Sequence, residues 1–303
     1  MSDPQTRESR FRCGLDLLWR SLVIGLGYTV AVMIGGMITQ ALSLPTPSLT
    51  GGVDQGIITV PMFLSGLLFG LTLGPLSTRI RVPGWQRAVL LFVVIFVLNG
   101  LINVIEALFF TTIPAVEQVT GLITSAMGHA GLALLLVVLF RPLSVERGLL
   151  SALGESLSHR PWTSWTWRFF LAGLLYVPVY LSFGMIIAPI VLPYYQQLGM
   201  GLVVPGFEVI LPLEVFRGLL YAVTLFLLVA VIRGGRWSTA FWIILTLAVL
   251  GSWQPMLVAV WWPATLRLTH GLEITADSIV HGLVIALLLW TPVLRGGAQR
   301  NAP

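Results

Sequence analysis

Eight runs of about 20 or more largely apolar residues set the limits on this chain, because each is long enough to cross roughly 30 Å of hydrocarbon as a helix. Lipid offers the backbone no hydrogen bonds, so runs of this kind must be helices whose N–H and C=O groups pair internally. The runs lie near 17–43, 56–77, 85–111, 117–141, 166–193, 207–232, 237–262 and 267–292. Of the 303 residues, 56% are hydrophobic and only 10% charged. A water-soluble surface needs far more charge than that. The reading is an all-α polytopic membrane protein, with the lipid bilayer as its first partner.

All 17 basic residues are arginine, and their placement predicts an orientation. With the N-terminus on the cytoplasmic side, 15 of the 17 fall on the inner side, in the segments around Arg7–Arg20, Arg79–Arg87, Arg141–Arg168, Arg233–Arg236 and Arg295–Arg300. Arg217 and Arg267 are the exceptions, and the outer loops near 44–55, 112–116, 194–206 and 263–266 carry no arginine. This is the positive-inside pattern, and it predicts both termini inside a prokaryotic inner (cytoplasmic) membrane. The arginines do not form a basic patch with interleaved aromatics, so nucleic acid is not an expected partner. Trp19, Trp85, Trp167, Trp237, Trp261 and Trp262 stand at span ends as interfacial anchors. Cys13 is the only cysteine, which excludes an intramolecular disulfide and a Cys-built metal site.

The two halves of the chain resemble each other. Trp19-Arg20, Gly25, Tyr28 and Gly36 recur 148 residues later as Trp167-Arg168, Gly173, Tyr176 and Gly184. Gly66, Ile80-Arg81, Trp85 and Ala88 recur 152 later as Gly218, Ile232-Arg233, Trp237 and Ala240; Gly121, Ala126 and Pro142 recur 150 later as Gly271, Ala276 and Pro292. The offset changes only at expected loops or span ends. Four spans per unit is an even number, so the expected arrangement is two parallel four-helix repeats, N-in and C-in, about an axis along the membrane normal. The segments are then a cytoplasmic N-terminus (1–16), a first repeat (17–142), an interfacial linker (143–165), a second repeat (166–293) and a cytoplasmic tail (294–303). Leu149, Leu153 and Leu157 at four-residue steps predict a short surface helix in the linker, with residues 10–18 as its counterpart.

Charges inside spans are costly and mark candidate sites. His270, Glu273, Asp277 and His281 fall within a stripe about 80° wide on the last span. Carboxylate and imidazole suit a divalent cation or proton transfer, but one straight helix cannot surround an ion. No cofactor is predicted from the sequence, and a divalent metal on these four residues is compatible with it. Glu214 and Arg217, three apart on the sixth span, are expected to pair with each other. Asn99, Asn103 and Glu106 share a face of the third span, and His129 stands alone on the fourth as an expected packing histidine.

The segment Leu213-Glu214-Val215-Phe216-Arg217-Gly218-Leu219-Leu220 resembles, over about eight residues, the Glu-Glu-x-x-x-Arg signature of the CPBP/Abi intramembrane proteases. Pro212 and Leu213 stand where that family has its glutamates, the span 237–262 lacks the family's Phe-x-x-x-His, and Ile285 follows His281 where Asn or Asp belongs. The resemblance therefore assigns no catalytic role. No nucleotide-binding glycine loop, HExxH or Gly-x-Ser-x-Gly motif occurs. The leading expectation is a transporter or channel-like protein for a proton, cation or small solute. An intramembrane hydrolase and a membrane assembly or scaffold subunit are the alternatives, and a homo-oligomer or partner membrane subunits fit any of the three.

Overall fold

A computed structural model describes residues 4–45, 55–197, 199–232 and 234–292; for residues 4–11 and 55 it describes the backbone. The side chains of Arg7 and Arg10, the segment 46–54 expected outside, Arg233, Arg295, Arg300 and the tail 294–303 lie outside the described residues. Within them every regular element is a helix: α1 (Pro4–Ala41), α2 (Gln55–Arg79), α3 (Gly84–Phe110), α4 (Ala115–Leu139), α5 (Leu149–Ser158), α6 (Trp162–Tyr195), α7 (Phe207–Val229), α8 (Arg236–Val258) and α9 (Ala264–Leu289). All except α5 are long and apolar enough to cross a membrane.

Helix ends follow local chemistry. Proline precedes the first helical residue of α3, α4, α6 and α9, where its missing N–H costs nothing. The linker helix expected around Leu149–Leu157 is α5. Gln86 Oε1 accepts its first N–H at 2.5 Å, and the Trp165 indole donates to Leu157 O at 2.8 Å. Its expected counterpart at 10–18 is not a separate surface helix. Those residues continue without a break into α1; Gly14 does not interrupt the helix there, and nothing crowds it.

Two features depart from regular α-helix. α3 and α8 each contain one π turn, Phe96–Leu101 and Ala248–Trp253. Such turns disturb the i→i+4 ladder and reposition side chains. Here they face each other: Asn99 donates from one to Leu250 O in the other at 2.7 Å.

α1 packs on α2 and α4, and α6 packs on α7 and α9. The two sets meet through α2 with α8 and through α3 with α7 and α8. Glycines allow the closest crossings. A Cβ on Gly66 would stand 2.7 Å from Gly25 Cα and 2.9 Å from Tyr28 Cβ. A Cβ on Gly218 would stand 2.3 Å from Gly173 O and 2.7 Å from Tyr176 Cβ.

Contacts between loops sort the two ends of the bundle. At one end, an isolated antiparallel bridge joins Ile80 to Ile232, and Arg81 pairs with Glu146 at 2.5 Å. Arg20 donates to Leu139 O at 2.8 Å and Arg168 to Leu288 O at 2.8 Å, each satisfying a carbonyl in the last turn of a neighbouring helix. At the other end, Thr111 bridges Leu202, and Thr112 N–H donates to Gly201 O. Apolar side chains also cover the outside of the bundle, among them Leu26, Met33, Val60, Leu134, Met185 and Leu272. An apolar exterior this extensive is what lipid contact requires.

Candidate functional site

α7 brings the ionisable residues together. Glu214 and Arg217 are one helical turn apart, and Arg217 Nη1 donates to Glu214 Oε1 at 2.8 Å and Oε2 at 2.9 Å. Arg217 Nη2 reaches Glu106 Oε2 of α3 at 2.6 Å, so one guanidinium holds two carboxylates across the contact between the halves. Burial is graded along this chain of charges. The Glu214 side chain is 0% exposed, Arg217 5% and Glu106 32%. Glu106 is therefore the end through which the others meet the outside.

Aromatic rings of α6 and α7 surround the guanidinium. Arg217 Cζ lies 5.8 Å from the Tyr176 ring centre and 5.9 Å from that of Tyr180, within cation–π range. Tyr176 packs edge-on to Tyr221 at 5.2 Å and against His281 at 4.7 Å.

α9 supplies the remaining groups. The His270 imidazole Nδ1 pairs with Glu273 Oε2 at 2.7 Å, with Tyr195 and Trp262 on either side. The His281 imidazole Nε2 donates to Ala172 O of α6 at 3.0 Å, which ties α9 to α6. Asp277, between them, is 4% exposed, and its Oδ1 has no hydrogen-bond partner among the described residues. Asp277 lies within Coulombic reach of Glu273, Arg217, Glu214 and Glu106. Gly184 of α6 faces Glu273, since a Cβ there would lie 3.5 Å from its Oε1.

Arg217 thus bonds two carboxylates, Glu106 and Glu214, while Glu273 and Asp277 of α9 lie within electrostatic reach of them without bonding the guanidinium. Uncompensated negative charge is strongly unfavourable in a low-dielectric interior, so these acids call for protons or a bound cation. Glu106 and Glu214 sit toward the end of the bundle bearing the 110–114 and 199–206 segments, whereas Asp277, about 20 Å into α9 by helical rise, lies near mid-depth. By helical rise Glu106 is about 6 Å from the end of α3, and Glu214 about 10 Å from the start of α7.

Not every sequence candidate joins it. Asn99 belongs to a second network, donating to Gln254 Oε1 at 2.7 Å and pairing through Oδ1 with His129 Nε2 at 2.9 Å. Asn103 donates back to Asn99 O at 2.8 Å. Only Glu106 of that helix face reaches Arg217. Among the described residues no three His, Cys, Asp or Glu side chains are grouped to hold a metal ion; along α9 His270 pairs with Glu273, His281 bonds Ala172 O, and Asp277 Oδ1 stands unpaired between them. Sequence reasoning missed Tyr176, Tyr180, Tyr221 and Gln254. A signal existed for the tyrosines: Tyr176 and Tyr180 are four apart, and Tyr221 is one turn after Arg217. No family model matches the chain, and neither a curated protein nor a solved structure matches it.

Proposed function

We propose that this multi-pass protein is a transporter or channel-like protein for a proton, a cation or a small solute, with the Glu106–Glu214–Arg217–Glu273–Asp277 cluster as its binding site. The observation that carries this reading is the excess of buried carboxylates over cations, with one Asp277 oxygen unsatisfied. Protons or a small cation are the species that relieve such an imbalance, and partly exposed Glu106 is the entry. His281 is a positioning residue that holds α9 against α6. Flux of protons and alkali cations in sealed liposomes is compared for the wild type and Asp277→Asn. The proposal expects flux above empty liposomes that the variant loses; unchanged flux in the variant refutes the assigned role.

The hydrolase alternative draws less support, because Glu214, its assigned base, is held by Arg217 through both oxygens and is fully buried away from water. The scaffold alternative fits the Asn99–His129–Gln254 network, but leaves the acidic excess without a purpose. We also infer two parallel four-helix repeats with both termini in the cytoplasm. Supporting this, the Gly25–Gly66–Tyr28 contact has the same form as Gly173–Gly218–Tyr176. The Ile80–Ile232 bridge pairs residues equivalent at spacing 152, as a two-fold axis between them would require. The π turns are also 152 apart.

A further inference from the structure

A cavity of about 310 Å³ lies at the opposite, arginine-rich end, between the start of α3 and the end of α4. Its walls include Val82, Val137, Val138 and Val145, with two arginines, Arg87 and Arg141, among them. Arg87 is the unusual group. It is 2% exposed, yet only its Nη2 is bonded, to Val137 O at 3.0 Å. Its Nε and Nη1 are buried and have no partner among the described residues. Arg141 is exposed at the rim, bonds Val138 O through Nε at 3.3 Å, and repels Arg87 electrostatically. Neither arginine has a carboxylate partner among the described residues.

Two guanidiniums with no carboxylate partner among the described residues put positive charge at this cavity, Arg141 at its open rim and Arg87 behind the wall, where a small shift of the side chain would bring its unused Nε and Nη1 to an anion. The free N–H groups of the first turn of α3, beginning at Gly84 on the cavity wall, add positive potential from a helix of 27 residues. The rest of the site is apolar. Val138 and Val145 are more than half exposed and continue the cavity onto the outer surface of the bundle, where lipid chains run. An inorganic anion would leave those walls wet, whereas a phospholipid would cover them with acyl chain while its phosphate meets the arginines. Basic pockets between spans on the cytoplasmic side suit anionic headgroups in this way.

We propose that this cavity binds an anionic phospholipid, its phosphate held by Arg87 and Arg141 and its chains on the valine walls. The site is independent of the acidic cluster and does not rest on the transport reading. It also belongs to one half of the molecule: Thr239 and Thr291 occupy the equivalent positions in the second half.

The full-length protein is purified in neutral detergent. Its affinity for phosphatidylglycerol, phosphatidylcholine and inorganic phosphate is then measured by native mass spectrometry and by thermal shift. The expected result is preferential binding and stabilisation by phosphatidylglycerol. Arg87→Gln should weaken this roughly tenfold, as expected for losing charge-assisted hydrogen bonds, and Arg141→Gln should weaken it by less. Because Arg87→Gln changes a buried residue, the rim variant Arg141→Gln serves as the second test, since it does not disturb the core. Equal binding of phosphatidylcholine, an equal effect of inorganic phosphate alone, or full phosphatidylglycerol affinity in both variants would overturn the proposal.

Discussion

The two halves pack alike and carry different charges. In the first, Tyr28 lies over the Gly25–Gly66 crossing and meets Phe69 edge-on at 5.3 Å. In the second, Tyr176 lies over the Gly173–Gly218 crossing and meets Tyr221 edge-on at 5.2 Å. Above that shared arrangement the chemistry diverges. Ser65 returns its hydroxyl to Pro61 O at 2.8 Å, while Arg217, 152 residues later, reaches Glu214 and Glu106. At the other end the asymmetry reverses, with Arg87 and Arg141 in the first half and threonines in the second. The Gly–Gly–Tyr crossing is thus common to both halves, while the buried charges around it differ.

The most severe way to break this comparison is Arg217→Met. It strands Glu214 in the interior without its cation, and breaking a buried pair from one side costs about 3–5 kcal/mol. Thermal unfolding in detergent should show a large loss of Tm, with partial recovery in Glu214→Gln/Arg217→Met. Ser65→Ala at the equivalent position should leave Tm nearly unchanged. A small effect of Arg217→Met would mean the guanidinium is not what holds the halves together there.

A second, smaller effect tests the shared packing. Gly66→Ala and Gly218→Ala each push a methyl group into a neighbouring helix backbone, and overpacking of this kind costs about 1–3 kcal/mol. Both should destabilise, with Gly218→Ala the worse because its Cβ would stand 2.3 Å from Gly173 O. Tolerance of one and not the other would argue against equivalent crossings. The smallest effect is expected from Arg81→Gln. It removes a half-exposed ion pair with Glu146, so the loss should stay under about 1 kcal/mol and shrink further in high salt.

Much of the fold is visible in the residues themselves. Eight apolar runs yield eight helices of spanning length, because hydrocarbon thickness leaves a chain few choices. The linker helix follows from three leucines at four-residue steps. The π turns were not foreseeable, since Phe96–Leu101 and Ala248–Trp253 read as ordinary apolar helix and their geometry depends on the two facing each other. The Glu214–Arg217 pairing is local and could be read from spacing. Its extension to Glu106, 111 residues away in sequence, depends on which face α3 turns to α7. For the same reason Asn99 and Glu106 share one helix face in sequence yet serve separate networks. Arg87 reads as an inner-loop charge near Trp85, and its burial follows only from how α3 starts against α4.

The proposed site depends on Asp277 of α9 together with Glu106 from the first half, whereas Ser65, the first-half match of Arg217, takes no part in it. Proton and cation flux into sealed vesicles, measured side by side for the wild type, Asp277→Asn and Ser65→Ala, tests this dependence most directly. Flux is expected in the wild type and in Ser65→Ala, and none above empty vesicles in Asp277→Asn, with all three proteins folded to similar Tm. Wild-type flux indistinguishable from empty vesicles, or equal flux in Asp277→Asn, would contradict it.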